Sequence, residues 1–320
     1  VSTGSPDPQS GQEYGVPPFL ARLLDDAAIF PPGNAPLPDA VRAHEVHRVA
    51  AYAAMVGPLV VDDPRLPDLI GLAPAGPTPL EVAVVVTGGA GALGPAVHWA
   101  ERSEALRLAG VEIALRGTDT SELPHNARRI VTAVDQLLAD GALDDDTTIS
   151  IEMPRLHGAA PGHSWLSALD EIAASDHRLK FRTGGADADA FPGPAELATC
   201  IGAALDRELR FKCTAGLHHA LRHRDPDTGF DQHGFLNVLL ATRLNLDGAS
   251  ADDVVAVLDR TDPDDVRRLV EEHAEGLAGA RRWFTSIGTC SVTEPLADLA
   301  ALGLLPDLPA TPSPTPEEHA

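Results

Sequence analysis

The chain has 320 residues and a net charge of −23, from 24 Lys and Arg against 47 Asp and Glu. That surplus of negative charge argues against nucleic acid or an anionic membrane as partner, since both need a basic face. Hydrophobic residues make up 44% of the chain, with no apolar run of about 18 residues, so a globular chain without a membrane span is expected. Residues 1–18 are polar and rich in Pro and Gly, without the basic start and apolar stretch of a secretory signal. Cys200, Cys213 and Cys290 lie far apart and form no CxxC pair, which fits free thiols in a cytoplasmic protein.

In chain order, strand-like segments fall at 27–30, 58–61, 81–86, 111–116, 148–152, 179–183, 210–214 and 284–287. Helical composition fills 35–54, 95–108, 127–139, 165–174 and 194–208, and 237–280 reads as two or three further helices. Strands alternating with helices imply parallel pairing through helical crossovers, and eight such units predict a (β/α)8 barrel with extra helices before the last strand. The predicted boundaries are a disordered tail over 1–18, one barrel domain over 19–305 and a second Pro-rich tail over 306–320.

Strand parity carries the functional argument. In 148–152 Ile149 and Ile151 share one face, and Ser150 and Glu152 the other. In 111–116 Val111, Ile113 and Leu115 oppose Glu112, Ala114 and Arg116. Leu179 and Phe181 oppose Lys180 and Arg182, and Phe211 and Cys213 oppose Arg210, Lys212 and Thr214. In a barrel wrapped by helices the apolar face points outward, so the polar face points inward, toward the C-terminal mouth where barrel active sites lie. Arg116, Glu152, Lys180, Arg182, Lys212 and Thr214 are thereby aimed at one place.

Lysine usage sharpens this. Of the 24 basic residues 22 are Arg, and the two lysines are Lys180 and Lys212. Arg replaces Lys as a solubilising charge but not as a base or nucleophile near neutral pH, so the surviving lysines mark sites where Arg would fail. Lys212 is taken as an amine nucleophile and Lys180 as the neighbouring cation that lowers its pKa. Glu152 is the expected proton shuttle, with His218 or His219 as a second acid or base. Arg116 and Arg182 would hold an anionic group. Thr183, Gly184, Thr214, Gly216 and Ser286 sit at strand ends where small residues and backbone N–H groups suit an anion. The lysines acting only as point charges on an anion is an equal reading of the same residues.

Lys212-Cys213-Thr214-Ala215-Gly216 resembles the Lys-Thr-Ser-Thr-Gly strand end of class I aldolases of the deoxyribose-phosphate aldolase kind. The segment from Lys180 to Gly185 loosely resembles their second, Lys-Ala-Ser-Gly-Gly strand end, with the two segments in the opposite order along this chain. The resemblance covers about a dozen residues. It implies Schiff-base chemistry on a small anionic carbonyl compound, without a cofactor; a homo-oligomer is left open.

Two other functions compete. His218, His219, His223 and His233 fall within 16 positions, so a divalent metal held by His219, His233 and Glu152 would make a hydrolase or lyase. The segment 81–94 ends in Gly89, Gly91 and Gly94 and resembles the dinucleotide fingerprint of short-chain dehydrogenases, though the Tyr-x-x-x-Lys pair of that group is absent. That reading gives a non-catalytic nucleotide- or ligand-binding protein using the Gly89 to Gly94 loop.

Overall fold

The computed structural model describes residues 15–306, apart from 75, 118 and 159. The tails expected over 1–18 and 306–320 fall for the most part outside the described residues. Eight parallel strands close into a barrel in the order β1, β10, β7, β6, β5, β4, β3, β2. They are β1 (Leu24–Asp26), β2 (Val56–Asp62), β3 (Leu80–Val86), β4 (Leu106–Ala114), β5 (Thr148–Glu152), β6 (Arg178–Arg182), β7 (Phe211–Thr214) and β10 (Phe284–Thr289). A two-stranded hairpin, β8 (His223–Arg224) and β9 (Asp231–Gln232), lies outside the barrel. The outer layer is α1 (Leu37–Val49), α2 (Leu66–Leu72), α3 (Leu93–Ala100), α4 (Leu123–Ala139), α5 (His163–Ala173), α6 (Pro194–Leu205) and α11 (Thr293–Ala301). No helix among the described residues is long and apolar enough to cross a membrane.

Between β9 and β10 four helices stand where two or three were expected: α7 (Phe235–Leu246), α8 (Ala251–Leu258), α9 (Pro263–Glu272) and α10 (Ala274–Ala280). Local signals divide them. Gly248 takes a positive φ of 79°, and Ser250 and Asp253 form a reciprocal capping box at the start of α8. Asp262 caps α9, whose first residue is Pro263.

The first strand is also displaced from its expected place at 27–30. Leu24, Asp25 and Asp26 pair with Ile287, Gly288 and Thr289, and the Ala27 amide adds one more bond to Thr289 O at 2.7 Å. The chain then turns, with the Phe30 amide donating to Ala27 O. Strand β4 starts five residues earlier than its expected 111, because 106–110 pairs with 80–83 of β3.

Parity holds around the barrel. Val111, Ile113, Ile149, Ile151, Leu179, Phe181, Phe211 and Cys213 are buried in the outer core between strands and helices. Phe211 packs on Phe181 and Phe284 with ring centroids 5.5 and 5.4 Å away. A separate small cluster of Ala27, Val60 and Ala83, covered by Phe30 and Val85, fills the inside at β1–β3. The interior is therefore apolar on the β2–β3 side and charged on the β4–β7 side. Register sets the charged side in rows: Glu112, Ser150 and Arg178; above them Glu152, Lys180 and Lys212; above those Arg182, Thr214 and Gly288.

Candidate active site

Both lysines lie inside the barrel with only 4% of their surface exposed. An ammonium so far from water persists only with anionic partners. Lys212 Nζ donates to Asp25 Oδ2 at 2.5 Å and to Glu112 Oε1. Lys180 Nζ pairs with the other oxygen of the same carboxylate, Glu112 Oε2, at 2.7 Å and with Glu152 Oε2 at 2.9 Å. Glu112 thus bridges the two ammonium groups. The cluster continues outward from Glu152 Oε1 to Arg182 Nε at 2.8 Å. The Arg182 side chain is 43% exposed, so this end of the cluster meets solvent at the C-terminal mouth.

Asp25 accepts a second bond on the same oxygen, Oδ2, from the Ser286 hydroxyl at 2.7 Å. Its position depends on a glycine: a Cβ at Gly57 would lie 2.2 Å from Asp25 Oδ1. The loops at the C-terminal ends of β6 and β7 also touch. A Cβ on Gly184 would meet the Gly216 backbone at 2.9 Å, and one on Gly216, whose φ is 67°, would meet Thr183 O at 2.9 Å. The Thr183 hydroxyl spans the same gap to Thr214 O and Ala215 O. The glycines and Thr183 therefore join two loops, and that hydroxyl is already donated within the protein.

These contacts overturn one expectation. Lys180 does not act on Lys212 as an uncompensated cation that lowers its pKa. Burial opposes the Lys212 ammonium, but Asp25 and Glu112 outweigh it and hold the pKa above the ordinary lysine range. For Glu112, burial favours the neutral acid, yet Lys180 and Lys212 pull its pKa down to about 2. Glu152 shifts the same way: Lys180 and Arg182 overcome burial and lower its pKa.

Asp25 and Glu112 were missing from the expected site residues. Parity already set Glu112 on the inward face, and an acid there, opposite two lysines, was the available signal. Arg116, by contrast, lies past the end of β4 and is exposed. Thr214 is half-buried at the level of Gly288, where a Cβ would come within 2.9 Å of its hydroxyl.

The histidines do not join the lysines. His218 is buried, with Nδ1 at 3.4 Å from both Thr289 Oγ1 and Cys290 Sγ, and burial lowers its pKa. His219 Nδ1 bonds Asp298 Oδ2 of α11 at 3.0 Å. His233 is fully buried; its Nε2–H donates to Pro192 O at 2.8 Å, and burial, helped by Arg222, pushes its pKa down to about 4. The metal reading is corrected accordingly: His219, His233 and Glu152 are each engaged elsewhere. Among the described residues no three His, Cys, Asp or Glu side chains are grouped to hold a metal.

The dinucleotide reading lacks its structural context as well. It needs an open, doubly wound sheet with the glycine loop after the first strand. Here Gly89 to Gly94 follows β3 of a closed barrel.

No protein-family model and no curated protein matches this sequence. Among solved structures the chain is similar to a deoxyribose phosphate aldolase from Aeropyrum pernix, which is described as a tetramer of unique structure. The likeness has a TM-score of 0.51 at 13% identity and covers 91% of this chain and 94% of that one. At that identity it establishes the fold: the protein is a (β/α)8 barrel of the architecture found in that aldolase.

Proposed function

We propose that this protein is a Schiff-base enzyme of aldolase type acting on a small anionic carbonyl compound. The observation that carries this reading is the pair of inward lysines at one level of adjacent strands, joined by a shared buried carboxylate. Point-charge anion binding would be served as well by arginine, which this chain uses almost everywhere else. The structural neighbour's name supports the same class of chemistry.

Of the two amines, Lys180 is the better nucleophile, a change from the assignment favoured by sequence. Lys212 is locked between Asp25 and Glu112, below the mouth, whereas Lys180 touches Glu152, whose other partner Arg182 reaches solvent. An anionic substrate group arriving at Arg182 competes with Glu152 for the guanidinium. The carboxylate so released takes a proton from Lys180. The neutral amine attacks the carbonyl carbon, Glu152 returns the proton to the carbinolamine oxygen, and water leaves as the protonated imine forms. The protonated imine then accepts the electron pair of the breaking C–C bond, while Glu152 takes the proton of the substrate hydroxyl, whose oxygen becomes the carbonyl of the departing aldehyde. Lys212 stays an ammonium beside the imine, held by Asp25 and Glu112. Glu152 passes its proton to the enamine carbon, and water then hydrolyses the imine, releasing the product and the Lys180 amine. Arg182 is the anion anchor. A homo-oligomer is consistent with the tetrameric neighbour, and the three free cysteines suit a reducing cytoplasm.

The test is reductive trapping. The protein is incubated with small aldehydes, ketones and 2-oxo acids plus borohydride, and the adduct is mapped by peptide mass. An adduct on Lys180, lost in Lys180→Arg and retained at reduced rate in Lys212→Arg, is the expected result. An adduct confined to Lys212 would restore the opposite assignment of roles. No adduct on either lysine across the panel would overturn the imine reading.

A further inference from the structure

Beneath the lysine layer lies a second feature that the proposed chemistry does not use. A cavity of about 200 Å³ occupies the N-terminal half of the barrel interior. Asp25, Glu112 and Lys212 form its ceiling, and it is lined further down by Ser150, Arg178 and Thr285. Glu152, Lys180, Arg182 and Thr214, which face the C-terminal mouth, do not line it. At about 30 Å³ per water it holds roughly six waters, or one small oxyanion with a few waters.

Two of its polar side chains have no partner among the described residues. Arg178 makes no hydrogen bond or ion pair there, and neither does the Ser150 hydroxyl. Ser150 is only 3% exposed. The two residues are register partners on neighbouring strands, so they present donors side by side at the same height. The surrounding charges are otherwise matched. Asp25, Glu112 and Glu152 balance Lys180, Lys212 and Arg182, and Arg22 is paired with Glu81 at the rim. Asp176, the acid near Arg178 on its own side, is bound to Arg210. Among the described residues that line the cavity, Arg178 is the cation without a carboxylate in contact. Burial and Arg210 work against its charge, while Asp25 and Asp176 favour it from a distance without contacting it.

We propose that this cavity is a binding site for one small oxyanion, held by the Arg178 guanidinium and the Ser150 hydroxyl. The layer of Asp25, Lys212 and Glu112 separates the site from the substrate mouth, so it is not a substrate subsite. An anion there would supply the missing countercharge inside the barrel and set the electrostatic floor under Lys212. The inference does not depend on imine formation.

Calorimetric titration with inorganic phosphate tests it, on the wild-type protein and on Arg178→Met, Ser150→Ala and Arg182→Met. The cavity site is expected in the wild type and unchanged in Arg182→Met, which removes any phosphate held at the mouth. Arg178→Met removes binding, and Ser150→Ala, which deletes one hydrogen bond to a charged group, weakens it about tenfold. Arg178→Met leaves no carboxylate unpaired, and Ser150→Ala provides an independent reading if that variant folds poorly. Acetate binding in place of phosphate, again lost in Arg178→Met, assigns the same site to a carboxylate. Absence of binding by phosphate, sulfate and acetate alike would overturn the proposal. So would binding that survives Arg178→Met and disappears in Arg182→Met, which places the anion at the mouth. These titrations read no turnover, so their outcome is separate from that of the trapping experiment.

Discussion

Replacing Glu112 with Gln gives the sharpest test of the buried charge cluster. The variant keeps the shape of the side chain and removes the negative charge that bridges Lys180 and Lys212. Lys212 retains Asp25 and Lys180 retains Glu152, but the two ammonium groups then face one another without the anion between them. The Glu112 pKa falls from 4.5 to about 2, which corresponds to about 3 kcal/mol of interaction favouring the ionised form. Breaking a buried ion pair from one side costs about 3–5 kcal/mol in other proteins, of the same size. The expected loss at pH 7 is therefore about 3 kcal/mol, or a fall in Tm of about 5 °C for a domain of this size. The sign of the pH dependence follows from a depressed carboxylate pKa. The wild type has the full contribution above pH 4.5 and loses it as the pH falls toward about 2, whereas Glu112→Gln lacks this part of the slope. Urea denaturation of both proteins at pH 7 and through that acid range measures both quantities. Adding Lys180→Met to Glu112→Gln removes the surplus cation and leaves Asp25 paired with Lys212 and Glu152 with Arg182, so part of the loss is recovered. A loss under about 1 kcal/mol at pH 7, with an unchanged acid slope, would show that Glu112 does not hold the lysines together in the folded protein.

Other outcomes follow from the same geometry. Gly57→Ala places a Cβ against Asp25 Oδ1, so Asp25 must turn away from Lys212; a loss of about 1–3 kcal/mol in urea denaturation is expected, with slower reductive trapping. His233→Gln acts in a different pH window: the wild-type His pKa drops from 6.5 to about 4, so its stabilising effect is present above pH 6.5 and is lost as the pH falls toward 4. The stability profile of that variant flattens by about 3 kcal/mol across this interval and keeps the Glu112 slope below it. For Arg182→Met, KM for an anionic carbonyl substrate rises by about ten- to a hundredfold, the worth of a hydrogen bond to a charged group, while uncharged aldehydes, which cannot draw Arg182 from Glu152 in the wild type, trap faster.

Much of this protein is written in local sequence. Period-two alternation in β4 to β7 set which residues face the helices and which face the interior, because a pleated strand turns successive side chains to opposite sides. The rarity of lysine singled out Lys180 and Lys212 before any contact was known, since substitution by Arg is free only where charge alone matters. Closure of the sheet decided the rest. It brought Asp25 to Lys212 across 187 residues and put Glu112 between two amines, making a pair of lysines expected to repel into a compensated cluster. It left His219 and His233 bonded to Asp298 and Pro192, where adjacency in sequence had suggested a shared metal. It also left Arg178 facing a cavity without a partner. Spacing along one strand specifies a face, but the partner of a buried charge is chosen by the register between strands and by the curvature that closes them, which only the folded barrel contains.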